Sequence, residues 1–355
     1  MVTRRKIKLT LPKHWNQCSR EQLEFIADTL REQVARQDRY HPFSMQSVKL
    51  AVFFAFSGVE IVQEVDGSLP TDEQYYLCRL KDDRGRKSKS KEKDNLFPLY
   101  LWQINYWLSS KAKTDNRESP EYIAQGADLL SWLDNANGMF LTWFPYETIK
   151  RKKGCGWLGI KKVFQGPHTD LDGFSWAQYR FASDMMGIYT QLSNSLIKMQ
   201  ERGIFSEEQL AKQAKNVELA KSMFLATIFN GKIKYMDVNT GIVRKDFHYD
   251  TAQCTENADY FRGFPETQWQ VILFWWTGVM HTLSKRFPHV FKVQPTKRQK
   301  PSTPLEIYTA TTATMQKYAG LTEDQVNNQS YSLVLEHLER LSRENEEMEK
   351  MRRKK

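Results

Sequence analysis

Two stretches of this chain repeat one arrangement of residues, and an internal repeat constrains a fold more than any single motif does. Near the start, Ser19 is followed by Gln22, Leu23, Phe25 and Asp28; later, Ser175 is followed at identical spacing by Gln178, Tyr179, Phe181 and Asp184. Further along each half comes an aromatic block. Phe97-Pro98 leads to Trp102-Gln103-Ile104, and Phe264-Pro265 leads to Trp269-Gln270-Val271, again with matched spacing. The order of the blocks favours a duplicated scaffold, and the small number of matches leaves open a chance likeness between aromatic helices. The expected fold is mainly α: two similar helical modules, each carrying a small β-hairpin, plus a long C-terminal helix. The expected divisions are 1–165, 166–293 and 294–355, the last a Pro-containing linker and terminal helix.

Local signals fill in this plan. Ser19 is an N-cap with Gln22 at the capping-box position, opening a helix to about Gln37 with Leu23, Ile26, Ala27, Leu30 and Val34 on one face. A more apolar helix is expected over Ser44–Ser57, ending at Gly58. Val59–Val65 and Tyr75–Leu80 read as strands, Lys81–Asn95 as a charged exposed loop, and Phe97–Ser110 and Pro120–Asn135 as helices. In the second half, Ser175–Gln200 and Ser206–Phe229 read as helices and Lys232–Val238 with Ile242–Tyr249 as a hairpin. An aromatic helix from Phe264-Pro265 to about Arg286 follows. Tyr146–Pro167 is a basic, glycine-containing bridge between the halves, and Gln294–Pro304 is an extended linker.

Composition bounds the class. With 355 residues, 40% of them hydrophobic, including ten Trp, twenty Phe and fifteen Tyr, the chain has material for packed cores. The four cysteines are scattered without a CxxC pair, which suits reduced thiols. No apolar stretch follows the basic N-terminal residues, so a secretory signal is not expected. The uncharged run Thr267–Ser284 carries enough polar groups to read as a buried helix rather than a membrane span. A cytoplasmic location is expected, with no membrane contact.

The net charge of +10 is unevenly spread. Residues 1–20, 150–162 and 285–300 each carry six Lys or Arg and no acid. Lys150, Arg151, Lys152, Lys153, Lys161 and Lys162 form the middle patch, which can attract phosphates or acidic protein surfaces or can be a solvated face.

Motifs for chemistry are weak. Gly154-Cys-Gly156-Trp-Leu-Gly159 matches a dinucleotide fingerprint, but Ile160-Lys-Lys-Val-Phe-Gln-Gly-Pro opens no helix, so a glycine turn is expected. His168-Thr-Asp170-Leu-Asp172-Gly173 resembles the start of a calcium loop, yet Phe174 and Phe181 occupy positions that need oxygen ligands. The seven histidines show no zinc spacing, and neither a nucleophile elbow nor a P-loop is present. No cofactor, metal site or catalytic residue is assigned, and the protein is read as a non-enzyme. The tryptophans in apolar helical runs, Trp102, Trp107, Trp269, Trp275 and Trp276, suit core packing better than base stacking.

The last helix, from Glu323 or Ser330 to about Arg353, keeps a seven-residue period. Tyr331, Leu338, Asn345 and Arg352 share one heptad position; Val334, Leu341 and Met348 share the other, with Leu335 widening the stripe. Two uses fit this pattern: docking on the protein's own body, or capture of a partner helix by Tyr331, Val334, Leu335, Leu338, Leu341 and Met348.

Several segments together resemble a family. Leu11-Pro12-Lys-His-Trp15 with Gln22-Leu23, Phe174-Ser-Trp-Ala-Gln-Tyr179, and Phe287-Pro288-His-Val-Phe291 resemble prophage-encoded proteins from tail or virion gene clusters. Met315-Gln-Lys-Tyr-Ala-Gly320 leading to Tyr331-Ser-Leu-Val-Leu-Glu-His-Leu338 is similar to the ends of such proteins. The resemblance implies a tail-assembly role, such as chaperoning the long tape-measure protein, and brings no catalytic residues. The expected partner is therefore a phage structural protein, the tape measure or another tail component, met through the C-terminal helix, which can also support homo-oligomers. The alternative is a nucleic-acid-binding protein that uses its segregated basic patches.

Overall fold

A computed structural model describes residues 11–37, 42–63, 74–80, 96–100, 130–134, 141–154, 159–236, 241–291 and 304–354. The described chain is mainly helical with two small antiparallel sheets. It divides into two compact units. The first comprises 1–141 with 267–277, and the second 142–266 with 278–355.

In the first unit, α1 (Arg20–Ala35) starts at a complete capping box: the Ser19 hydroxyl accepts from the Gln22 N–H, and the Gln22 side chain accepts from the Ser19 N–H. Leu23, Ile26 and Ala27 form its buried stripe. Helix α2 (Met45–Phe56) is capped by Ser44 and buries Val48, Val52 and Phe53. Lys49, itself only 2% exposed, is neutralised by an ion pair with Asp134, which a buried ammonium requires. A three-stranded sheet follows in the order β1 (Val59–Gln63), β2 (Tyr75–Leu80), β3 (Phe97–Tyr100). Trp15 is a hub of this unit's core: its ring lies 4.9 Å from Trp132 and 5.2 Å from Phe274.

The strand β3 corrects the start of the helix expected over Phe97–Ser110, at Phe97–Tyr100. Phe97 lies opposite Cys78 and Leu99 opposite Tyr76 in the ladder with β2. Pro98 cannot donate to a ladder, and β3 lies at an edge of this sheet, where that costs nothing. Residues 101–129, including Trp102, Trp107 and most of Pro120–Asn135, lie outside the described residues, as does Lys81–Asn95.

The second unit opens with a sheet of four antiparallel strands in sequence order, β4 (Thr148–Lys153), β5 (Ile160–Gln165), β6 (Asn230–Met236) and β7 (Val243–His248). The stretch Tyr146–Pro167, expected as a bridge, is thus largely a hairpin. A boundary at 165 would cut the sheet, because Phe164 pairs with Gly231 and Gln165 with Asn230. Between β5 and β6 run α3 (Trp176–Arg202) and α4 (Glu207–Ile228), which pack together. Helix α5 (Thr251–Phe261), not anticipated from sequence, packs on both α4 and β4. Helix α6 (Glu266–Arg286) carries the second aromatic block; its residues 267–277, with Trp269 and Trp275 fully buried, belong to the first unit, and its last turns to the second.

The matched blocks therefore take different structures. Phe97-Pro98 sits in a strand, whereas Phe264-Pro265 immediately precedes a helix. Ser19 and Ser175 both cap helices, but Gln178 is only 1% exposed and turns its amide to the Thr227 carbonyl and to Asn230, at 2.8 and 3.0 Å, instead of closing a capping box.

The chain ends in α7 (Pro304–Ala319), α8 (Glu323–Asn328) and α9 (Tyr331–Lys354). The start of α9 is fastened to the second unit: the Trp176 N–H donates to the Gln329 carbonyl at 2.7 Å, and the Tyr331 N–H to the Phe174 carbonyl at 3.2 Å. The Tyr331 hydroxyl donates to the Asp170 carbonyl, in a turn where Asp170 and Leu171 both have φ of 59°, a left-handed conformation that side chains disfavour. Burial of Leu171 and the grip of Tyr331 hold that turn in place.

Candidate functional site: a lysine face on the four-stranded sheet

Strand side chains alternate between the two faces of a sheet, so a run of basic residues in a strand is divided in two. The run in β4 and β5 is split in this way. Arg151, Lys153 and Lys162 point inward with Ile149 and Phe164; Lys150, Lys152 and Lys161 are exposed on the opposite face.

The inward cations are structural. Arg151 donates from Nε to the Tyr260 carbonyl at 2.9 Å and from Nη2 to the Arg262 carbonyl at 3.4 Å, and its guanidinium lies 5.1 Å from the Phe264 ring centre. Burial pulls its pKa below the usual arginine value. Lys153 forms a 2.7 Å ion pair with Asp259. That hydrogen bond raises the lysine pKa and holds the Asp259 carboxyl below the ordinary aspartate range. Lys162 donates to Asn257 at 2.8 Å and lies over the rings of Phe164 and Tyr260. These three side chains fasten the hairpin to α5 and the turn after it, and none of them faces outward.

The outward cations are joined by others from β6 and β7. Pairing of Phe164 with Gly231 sets the alternation across the seam. Gly231 confirms the shared inner face, since a Cβ there would come within 2.8 Å of the Lys162 side chain. The outer face of the second hairpin therefore carries Lys232, Lys234 and Met236 on β6, opposite Phe247, Lys245 and Val243 on β7. Six exposed lysines, Lys150, Lys152, Lys161, Lys232, Lys234 and Lys245, share one face with no carboxylate among them. Lys152 lies directly opposite Lys161, and Lys234 directly opposite Lys245. Like charges in such positions weaken a ladder, so these pairs do not serve the sheet itself. Lys232 sits 5.1 Å above the Phe247 ring, a contact that fixes one ammonium against the sheet.

Sequence reading singled out three of these six and missed Lys232, Lys234 and Lys245. The alternation Lys232-Ile-Lys234 is a period-two signal within a predicted strand, and it shows which face Lys232 and Lys234 take. Nothing in the sequence aligns it with Lys150–Lys153, because the link is the pairing of β5 with a strand that follows two intervening helices.

The other candidate site divides along its length. Tyr331, Val334 and Leu335 are buried at 5%, 0% and 1% exposure, with Tyr331 packed 5.3 Å from Tyr179. Arg286 pairs with Glu336 at 2.7 Å, and the N–H groups of His289 and Val290 donate to the Glu339 carboxylate. The first part of the stripe is thus committed to the second unit's own core, which favours self-docking for these residues. Leu338 and Leu341 are half-buried, and Met348 and Met351 are exposed at 51% and 64%.

Gly154 and Gly159 bracket the connection from β4 to β5, and a strand rather than a helix follows, so this glycine motif has no context for a dinucleotide. Among the described residues no group of three or more His, Cys, Asp or Glu side chains could hold a metal ion, and no helix is long and apolar enough to cross a membrane. Compared with protein-family models, with curated proteins and with solved structures, the chain has no match among any of them.

Proposed function

We propose that the protein binds nucleic acid, without strong sequence preference, on the outer face of the sheet β4–β5–β6–β7. The observation that carries this reading is the set of six exposed lysines on one acid-free face, including two directly opposed like-charged pairs. Successive lysines on one strand face stand roughly 7 Å apart, a spacing that suits consecutive phosphates of an extended strand. Lysine acts as a mobile point charge and gives affinity without a base code.

Binding by counterion release has a measurable signature. If all six lysines meet phosphates, the logarithm of the affinity for a single strand should fall with the logarithm of salt concentration at a slope of roughly 4. Fluorescence anisotropy with a labelled single-stranded oligonucleotide, titrated across a salt series, measures that slope. Replacing Lys152, Lys161 and Lys234 by Glu should reduce affinity by more than about tenfold and flatten the slope by roughly 2. Absence of binding at low salt, or affinity indifferent to salt, overturns the reading.

A second reading rests on the exposed distal part of α9. There Met348 and Met351 offer apolar surface to a helical partner. With the resemblance to tail-cluster proteins, this supports a non-enzymatic assembly role in the host cytoplasm, in which the helix end takes up a segment of a phage structural protein such as the tape measure. Removing residues 344–355 leaves Tyr331, Val334 and Leu335 in place. The truncated chain should stay folded while losing co-purification of the structural protein during prophage induction; retained co-purification sinks this reading.

A further inference from the structure

At the end of the β4–β5 hairpin away from its turn, the second unit holds a cavity of about 300 Å³. Trp143, Glu147 and Thr148 line it on one side, Gln165, Gly166 and His168 on the other. Thr148 and Gln165 are partners in the ladder. Both stand on the outer face, because Thr148 lies two residues before the outward Lys150 and Gln165 follows the inward Phe164. The next outward position along β4 is Lys150, roughly 7 Å further on. The cavity is therefore continuous with the lysine face through two of its own lining residues. Trp143 is half-buried, whereas its neighbour Phe144 is buried with its ring 5.5 Å from Phe229. Gly166 permits the two segments to approach: a Cβ there would come within 2.4 Å of the Phe144 ring, and the Gly166 N–H donates to the Glu147 carbonyl at 2.8 Å.

A tryptophan at the end of a row of lysines matches a nucleic-acid strand in both of its parts. The lysines neutralise phosphates. The indole offers a base an apolar plane, and stacking there is tolerant of base identity. Thr148 and Gln165 add hydrogen-bonding groups to the cavity wall. Glu147, the one carboxylate in the lining, repels phosphate, so the base rather than the backbone is the part admitted. The volume lies at the small end of ordinary ligand pockets and suits one base. We infer that the cavity receives one unpaired base of a single strand whose phosphates cross the lysine face, the base stacking on Trp143. The substrate is then single-stranded, since a base in a duplex is already stacked and paired. The inference rests on the nucleic-acid reading above and goes further by naming the strand state and the side chain that meets the base.

The test uses the full chain and two labelled single strands of equal length, a homopolymer of thymine and a strand of abasic sites, read by fluorescence anisotropy at low salt. The wild-type protein should bind the thymine strand on the order of tenfold more tightly than the abasic one. Trp143→Leu keeps apolar bulk but removes the aromatic plane. It should erase most of that difference while leaving abasic binding and its salt slope unchanged, whereas Trp143→Phe should retain most of it. Should Trp143→Leu prove misfolded, Thr169→Leu, which crowds the cavity from an exposed position in its lining, should narrow the difference severalfold. Equal wild-type affinity for the two strands overturns base insertion while leaving the lysine face intact. A thymine preference that survives in a folded Trp143→Leu variant overturns the assignment to this cavity. Failure of both strands to bind at low salt overturns the inference and the reading it rests on.

Discussion

The two faces of the four-stranded sheet are made from the same strands and the same kinds of residue, yet they have opposite fates. On the inner face, Arg151, Lys153 and Lys162 meet backbone carbonyls, Asp259, Asn257 and aromatic rings. On the outer face, Lys150, Lys152 and Lys161 are exposed, with Lys152 directly opposite Lys161. One residue of alternation separates a structural cation from an available one. The lesson is that charge density along a chain says little about function until the pleat has divided it.

The largest change in stability is expected on the inner face. Phe164 is fully buried, its ring 5.0 Å from Phe261 and 5.6 Å from Tyr260. Phe164→Ala should cost about 3–5 kcal/mol in urea unfolding, with binding per folded molecule preserved. Arg151→Ala removes two charge-assisted hydrogen bonds to carbonyls and should cost about 1.5–3 kcal/mol. If it weakened oligonucleotide binding as much as an outer-face substitution does, the division between the faces would be wrong.

The outer face should behave in the opposite sense. Lys152→Glu turns the like-charged pair with Lys161 into an attractive one and should stabilise the protein by about 0.2–1 kcal/mol while weakening nucleic-acid binding. A stabilised variant with reduced binding is hard to explain unless those lysines serve a ligand. The smallest effect belongs to the pair Lys153–Asp259. The carboxyl pKa is lowered chiefly by the hydrogen bond from Lys153, so its contribution exists above the ordinary aspartate range and disappears as pH falls through the lowered value. The lysine pKa is raised chiefly by the same bond, so its contribution is present below the ordinary lysine range and is lost as pH rises through the raised value. Asp259→Asn should flatten both limbs of the thermal stability profile slightly, and an unchanged profile would show that the bond is idle in solution.

Local features were the most legible in the sequence. The hydroxyl caps Ser19, Ser44, Ser175 and Ser206 mark helix starts because capping depends on residues within one turn. The apolar stripe of α1 follows for the same reason. The strand Phe97–Tyr100 was misread as a helix because Phe97-Pro98 matches Phe264-Pro265 in letters while its partner, β2, lies outside any local window. The tail showed the same limit. Its heptad pattern established a helix, but whether Tyr331 and Val334 face a partner or their own core depended on contacts with Asp170, Phe174 and Tyr179.

By itself the sequence determined the helices whose starts carry hydroxyl caps, at Ser19, Ser44, Ser175 and Ser206, and that positive charge is concentrated in segments free of acid. Those properties depend on short-range hydrogen bonding and composition. Only the tertiary structure decided that half of the central basic run is consumed in packing, and that Lys232, Lys234 and Lys245 complete the exposed half. The physical reason is that strand pairing joins residues distant in sequence, and the register of Phe164 on Gly231 fixes which side chains share a face.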